Sequence, residues 1–320
     1  MKISLLVPIY GVEKFIDKCA ISLFEQTYGD IEYVFVDDCT PDKSLDILTQ
    51  VLERYPQRQQ QVRIISHETN QGLGAARKTA LEAATGDFVL NVDSDDYLSR
   101  DAVEKLVMKQ AETDADIVSG CVRIYRDNEK SEMLPFPLED KKTFLRLLLI
   151  QNTIPHNLWG RLIRKSLFFE NDIFPQKGVN QAEDYAVTPR LFFCAKTTVS
   201  ILEPLYNYQI FSAGTFSDHI SHRHVESVLM ANKLNVSFFR KHDITQSYRF
   251  AMEVGMLNTF YIAMRVGLTW HEISDKCDYV PTGIFRVIHC GLTHPHTLKL
   301  LRLSYLAIKW LYKRQLHVPY

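Results

Sequence analysis

Residues Ile3–Ile9 form a nearly unbroken apolar run, too short for a typical helix and too uniform for a strand with one wet face. Such a run suits a strand buried on both faces, and strands of that kind belong to parallel sheets covered by helices. The segments that follow repeat the arrangement. Residues 12–25 carry Phe15, Ile16, Cys19, Ile21, Leu23 and Phe24 at helical spacing, and 32–36 is a second strand that ends on Asp37-Asp38. Asp42 suits an N-cap for a helix through Asp46, Leu48 and Leu52. Val62–Ser66 reads as a third strand, 73–84 as a helix closed by Gly86, and 88–92 as a fourth strand that ends on Asp93-Ser94-Asp95-Asp96. A helix over 101–113 precedes a strand at Ile117-Val118. Strands alternating with helices of this length imply an α/β fold with a mostly parallel sheet and helices on both faces.

After about residue 125 the pattern changes. Residues 127–140 are charged and contain proline, which suits a connection. A helix near 141–151 follows, then the loop Thr153-Ile154-Pro155-His156, a second loop over 175–181, and a helix starting near Ala182. Short strands are expected at 198–202 and 205–210, and 221–320 is mainly helical. There is no internal repeat.

The chain has 320 residues, 37 Lys plus Arg against 38 Asp plus Glu, and 46% hydrophobic residues. That balance gives a sizeable core and argues against a generally basic nucleic-acid binder. No run of apolar residues is long enough to span a bilayer, and the N-terminal stretch, broken by Pro8, lacks a signal-peptide cleavage site. Six cysteines (Cys19, Cys39, Cys121, Cys194, Cys277 and Cys290) show no CxxC pair and read as reduced thiols of a cytoplasmic protein.

In open α/β sheets, ligands bind beyond the carboxyl ends of the parallel strands. Here those ends carry Tyr10, Asp37-Asp38 and Asp93-Ser94-Asp95-Asp96. Five carboxylates at one edge repel one another unless a cation or ligand donors compensate them, and a hard divalent ion completed by phosphate oxygens does so. Each acidic cluster taken singly also fits an ordinary capping turn or solvated loop. Gly72-Leu73-Gly74-Ala75-Ala76-Arg77 imitates a dinucleotide fingerprint, but it has Arg at the third glycine position and opens the third helix, which speaks against a Rossmann dehydrogenase. No GxxxxGK[ST] occurs. Arg77, on the first helical turn, could aim a guanidinium at a diphosphate or simply lie on a solvated face.

Taken together, Val7-Pro8-Ile9-Tyr10, Val36-Asp37-Asp38-Cys39-Thr40, Asn70 to Arg77 and Asp93-Ser94-Asp95-Asp96 resemble, in order and spacing, the family-2 glycosyltransferases of the GT-A fold. Later segments resemble that family as well. They are Asn157-Leu158-Trp159-Gly160-Arg161, Glu183-Asp184, and Leu205-Tyr206-Asn207-Tyr208. The resemblance implies a GT-A domain over 1–216, with a nucleotide-sugar half at 1–125 and an acceptor half at 126–216. A helical region at 217–320 follows.

It further implies that Pro8 and Tyr10 line the base and ribose pocket, that Asp38 and Asp37 bond the base (uracil in most members), and that Arg77 lies near the diphosphate. Asp93, Ser94 and Asp95 would form the Asp-x-Asp motif, with Asp95 and Asp93 at Mn²⁺ or Mg²⁺, and Asp96 would support the sugar. Asp184, with Glu183 beside it, would deprotonate the acceptor hydroxyl and give inversion, although a helix N-terminus also favours acids. Four departures from the family pattern fall beside these residues: Gly11 and Lys78 each stand where asparagine is common, Cys39-Thr40-Pro41 replaces a common Gly-Ser-Thr-like turn, and Ala182 replaces the usual glycine before the acidic pair.

The implied activity moves a sugar from a UDP-sugar or related donor to a glycan or lipid-linked acceptor. A nucleotidyltransferase and a catalytically silent nucleotide-binding module are the competing readings. The sequence adds one partner of its own. Residues 279–320 hold Arg286, Lys299, Arg302, Lys309, Lys313 and Arg314 and no acid, a local +6 against −1 for the whole chain. From 298 to 315, Lys299, Arg302, Lys309 and Lys313 form a stripe beside Leu, Trp and Tyr. That stripe suits either a helix on the anionic inner face of a cell membrane or a terminal helix docked on the protein.

Overall fold

The computed structural model describes residues 1–126, 129–133, 140–151, 153–210, 221–242, 244, 246–291 and 298–315. They fall into two compact units: Met1–Glu139 with Asn157–Asn180 and Cys194–Phe216, and Asp140–His156 with Gln181–Phe193 and Ser217–Tyr320.

Among the described residues the first unit holds one sheet of nine strands. These are β1 (Ile3–Ile9), β2 (Ile31–Asp37), β3 (Val62–Ser66), β4 (Phe88–Asn91), β5 (Tyr97–Leu98), β6 (Ile117–Arg126), β7 (Glu129–Met133), β8 (Arg161–Arg164) and β9 (Thr198–Ile210). The order is β3-β2-β1-β4-β8-β6-β9-β5, with β7 paired to β6. β1 to β4 run parallel, as do β6 and β9, whereas β8 runs antiparallel to both β4 and β6. Most of the pairing is therefore parallel, as the alternating sequence predicts.

Every position of β1 and β2 is buried. Ile3, Leu5, Val7 and Ile9 share a core with Tyr33, Phe35 and the apolar faces of α1 (Ile16–Phe24), α2 (Ser44–Glu53) and α4 (Ala102–Thr113). The small residues Ala76 and Ala80 of α3 (Leu73–Ala83) are buried outside that core, where α3 packs against β1 and β2.

The strand order reverses between β1 and β4, so the chain leaves these two strands in different directions and a crevice forms beyond their ends. β4 stops pairing early, at Leu6↔Asn91. The Leu6 carbonyl accepts from Val92, whereas the Ile9 carbonyl accepts from Asp38. Alternate residues of β1 thus address β4 and β2, and Pro8, in phase with Leu6, faces the side where the β4 ladder has ended. Its missing N–H costs no ladder bond there.

The second unit is helical: α5 (Lys141–Ile150), α7 (Glu183–Cys194, all but its last residue), α8 (His222–Lys241), α9 (Gln246–Arg265), α10 (Trp270–Cys277), α11 (Gly283–Gly291) and α12 (Leu298–Gln315). Its centre is polar. The Gln151 carboxamide, just past α5, donates towards Tyr185 Oη (3.2 Å), Asn232 Oδ1 (3.0 Å) and Thr259 Oγ1 (3.2 Å), and it accepts from Asn258 (3.3 Å). A buried network with its partners in place fixes helix registers that an apolar core leaves interchangeable.

Several local expectations are revised. α1 begins at Ile16, and α2 begins at Ser44 with Lys43 at the N-cap position. Asp42 still accepts from the Ser44 N–H and hydroxyl, so it serves the helix start from one residue further back. β6 continues past Val118 to Arg126 and pairs with β7, inside the span expected to be a connection; 127–128 and 134–139 lie outside the described residues. β9 is one strand with a bulge, and β5 and β8 have no counterpart in the sequence reading. The side chains of Cys290 and Lys313 lie outside those described. Among the described residues no helix is long and apolar enough to cross a membrane.

Candidate active site

The acidic segment after β4 is a tight turn, in which the Asp96 N–H donates to the Asp93 carbonyl (3.0 Å). β9 holds it from one side. The Tyr206 hydroxyl accepts from the Asp93 N–H (3.1 Å) and donates to Asp96 Oδ2 (2.8 Å). Gln209 donates its backbone N–H to Asp96 Oδ1 (2.9 Å) and its carboxamide to the Asp95 carbonyl (2.7 Å). Tyr206 and Tyr208, two apart on one face of β9, both stack on Trp159, at 4.5 and 5.1 Å. Trp159 bridges to Asn91 at the end of β4, and Arg161 ties the turn by donating to the Asn157 carbonyl and to Ser119. The Trp segment and the Tyr-rich strand therefore brace the acids.

Arg77 is 1% exposed and lies 2.9 Å from Asp93 Oδ1. Its charge offsets part of the cluster. Burial, then the neighbouring Asp93, pushes Asp95 up to about 6. Burial together with Asp95 and Asp93 raises Asp96 well above the usual carboxylate range, and Ser94 is buried between them. The turn thus holds more negative charge than the protein itself neutralises.

Across the switch point, Asp38 is 2% exposed and is bonded to three partners of the same unit. Oδ1 lies 2.7 Å from His67 Nδ1 and accepts from the Gln71 N–H (2.8 Å), while Oδ2 accepts from the Gly72 N–H (2.7 Å). His67 in turn reaches Thr79 Oγ1 on α3 (2.9 Å). Asp38 therefore pins the entrance of α3, and among the described residues only the Thr40 N–H donates to the Asp37 carboxylate. His67 was not singled out in the sequence; its place beside the Asp37-Asp38 strand end, one residue past β3, was the available signal. The glycines have a structural explanation too. A Cβ at Gly74 would stand 2.2 Å from the Gln176 carbonyl and 2.5 Å from that of Val179, and one at Gly72 (φ +91°) would strike Asn180.

Pro8 is buried at the end of β1, and the next residue but one, Tyr10, is 51% exposed. Pro8, Tyr10, Asp37, Asp38, Arg77, Asp93, Ser94, Asp95 and Asp96 all belong to the first unit. Glu183 and Asp184 belong to the second, on the opening turn of α7, where the helix dipole favours acids. Ala182, just before them, has φ +60°, and Cys39, after Asp38, has φ +58°. Both positions flagged as departures from glycine thus hold the left-handed backbone that glycine adopts without cost. Pro189 interrupts α7 and cannot bond the Tyr185 carbonyl four residues back; the Asn235 carboxamide donates to it instead (2.9 Å).

A divalent cation fits the acid turn by its donor chemistry: hard carboxylate oxygens, buried and only partly offset by Arg77. Among the described residues no three His, Cys, Asp or Glu side chains form a complete metal cage. An ion of the Mg²⁺ type needs only one or two carboxylates when substrate phosphate completes its shell.

A parallel half-sheet reversing at β1 and β4, with an acid turn on one side of the crevice and a pinned helix entrance on the other, defines a GT-A-type α/β fold. The chain belongs to glycosyl transferase family 2, whose model matches residues 4–169. It is 32% identical over 215 residues to the uncharacterized glycosyltransferase EpsJ of Bacillus subtilis (strain 168), covering 65% of this chain and 60% of that one. It is 28% identical over 228 residues to the poly(ribitol-phosphate) beta-N-acetylglucosaminyltransferase TarS of Staphylococcus aureus (strain Mu50 / ATCC 700699), covering 70% and 38%. The crystal structure of S. aureus TarS 1-349 in complex with UDP superposes with a TM-score of 0.65 at 19% identity, over 98% of this chain and 92% of that one. The mannosyltransferase PcManGT from Pyrobaculum calidifontis, in complex with GDP-Man and Mn²⁺, gives 0.55 at 14% identity, over 99% and 88%.

Proposed function

We propose that the protein transfers a hexosyl or N-acetylhexosaminyl group from a nucleotide sugar, a UDP-sugar, to a hydroxyl of a glycan or lipid-linked acceptor, with inversion, in surface polysaccharide or glycoconjugate synthesis. The observation that carries this reading is the buried Asp93-Ser94-Asp95-Asp96 turn at the β1/β4 switch point, braced by Arg77 and Tyr206. Family membership and the UDP complex of TarS support the donor class.

Pro8 and Tyr10 line the base and ribose pocket. Asp38, with Asp37 beside it, bonds the base, and the contacts of Asp38 to His67, Gln71 and Gly72 hold it in register with the α3 entrance. Mn²⁺ or Mg²⁺ held by Asp95, with Asp93, would supply neutralisation of the charge that develops on the leaving diphosphate. Arg77 lies near the diphosphate, where it also pairs with Asp93, and Asp96 supports the sugar. Asp184 takes the proton from the acceptor hydroxyl, and Glu183 beside it strengthens the negative field.

Calorimetric titration of nucleoside diphosphates with and without Mn²⁺, on the wild type and on Asp95→Asn, tests the donor site. Selective UDP binding that needs Mn²⁺ and weakens in the variant is expected. Preference for GDP overturns the uracil assignment. No nucleotide binding at all returns the silent-module reading, and pyrophosphate release from a nucleoside triphosphate returns the nucleotidyltransferase.

A further inference from the structure

The C-terminal helix is apolar on two opposite sides. Leu301 and Tyr305 of α12 are buried, α12 packs on α9, and the Tyr305 hydroxyl donates to the Gln151 carbonyl (2.9 Å). The other side is exposed, although it carries Leu300 (54%), Leu303 (60%), Trp310 (45%) and Leu311 (58%). At 100° per residue these four fall within about 100° of the helix circumference, roughly opposite Leu301 and Tyr305. A docked amphipathic helix ordinarily turns such residues inward and leaves polar ones outside.

Lys299 borders the exposed apolar strip, and the Arg314 guanidinium lies over the Trp310 ring at 5.3 Å; Arg302, itself exposed, lies further round, over the Tyr261 ring of α9 at 5.5 Å, and Lys309 over the Tyr305 ring at 5.7 Å. α11 of the same unit exposes Ile284 (66%) and Val287 (71%) beside Arg286. No acid occurs from residue 279 to the end. An exposed helix side that is apolar, flanked by cations and without an acid of its own complements a surface with an acyl interior and anionic headgroups.

We infer that the exposed face of α12 docks the protein on an anionic lipid surface, with Leu300, Leu303, Trp310 and Leu311 entering the headgroup boundary and Lys299, Arg302 and Arg314 reaching the anionic headgroups. On this inference one side of the helix docks on the protein and the other meets the membrane. The inference is independent of the donor assignment, because it involves no residue of the acid turn.

Co-sedimentation of the full chain with vesicles tests it, comparing phosphatidylcholine alone with phosphatidylcholine containing phosphatidylglycerol. Binding to the anionic vesicles is expected, weakening at high salt. Lys299→Gln and Arg302→Gln should each lower partitioning about fivefold. Leu303→Ser with Trp310→Ser should abolish it even with the charges in place, and the melting midpoint should not move because both side chains are exposed. Equal recovery in the supernatant with and without anionic lipid overturns the inference. So does a concentration-dependent dimer that Leu303→Ser dissociates, which would make a second copy the occupant. Nucleotide titration on the same variants should be unchanged, so a failure here is separate from a failure of the proposed donor site.

Discussion

The Arg77 guanidinium sits 2.9 Å from the Asp93 carboxylate, with the arginine almost wholly buried. The pair joins the second turn of α3 to the turn after β4. Breaking a buried pair by removing one partner costs about 3–5 kcal/mol, because the remaining charge is left uncompensated. Here the remaining charge would also face Asp95 and Asp96. Arg77→Met should therefore lower unfolding stability by about 3 kcal/mol, read as a reduced urea midpoint at constant m-value. Arg77→Lys should recover only part of it, since a point charge cannot reproduce the guanidinium geometry. A midpoint unchanged in Arg77→Met would show that the pair holds nothing.

Gly74→Ala should destabilise by about 2 kcal/mol or more, because its Cβ meets two backbone carbonyls that no side-chain rotation can clear. Thermal melting of this variant against Ala75→Gly, a change on the same helix turn without that clash, separates the steric effect from helix propensity.

Ala182 and Cys39 should respond in the opposite direction. Each holds a left-handed backbone that costs an L-residue roughly 1–2 kcal/mol, partly returned as chain entropy when glycine replaces it. Ala182→Gly and Cys39→Gly are expected to be stabilising by about 0.5 kcal/mol each. A lower melting midpoint in both would contradict the strain assigned to them.

Asn235 replaces the hydrogen bond that Pro189 removes from α7. Asn235→Leu should leave the Tyr185 carbonyl buried without its donor and cost about 1–3 kcal/mol. Asn235→Leu combined with Pro189→Ala should recover most of that loss, because the helix can then satisfy the carbonyl itself. Failure of the double variant to recover would place the cost elsewhere.

Glu32, at the amino end of β2, gives the clearest pH signature. Burial alone would raise its pKa, but hydrogen bonds from Ser4, Thr85 and Lys2 outweigh burial and bring it to about 2. A carboxylate depressed in the folded state stabilises fully above its unfolded value near 4.5. That contribution, roughly 3 kcal/mol, is lost as pH falls through about 2. Melting midpoints of wild type and Glu32→Gln should differ at pH 7 and converge towards pH 2.

β1, β2 and β4 were legible because they are buried on both faces, so apolar runs and acidic strand ends stand out against the helices between them; β3, largely exposed, still reads from its β-branched residues. β5, β7 and β8 were not, since two-residue Tyr97–Leu98 and the charged Glu129–Met133 and Arg161–Arg164 carry no apolar run and exist as strands only through pairing. The acids were legible as residues, but their division of labour was not. Asp37 and Asp38 are neighbours of identical chemistry, and only His67 and the Gln71-Gly72 amides, distant in sequence, show that Asp38 is the one tied to the α3 entrance. Arg77 likewise reads as a surface or phosphate-facing residue until Asp93 appears beside it. Cys39 and Ala182, read as departures from glycine, hold left-handed backbone, which the residues themselves do not announce.

Trp159 lies flat against Tyr206 and Tyr208, and the Tyr206 hydroxyl is shared between the Asp93 amide and the Asp96 carboxylate. The indole is thus one ring removed from the acid turn, and any rearrangement of that turn must move the phenol on which it rests. Trp310, by contrast, lies exposed on the C-terminal helix, and Trp270 is partly buried on α10. Of the three indoles only Trp159 rests on the acid turn, so the emission lost in Trp159→Phe is the part of the protein's own fluorescence that follows the acids.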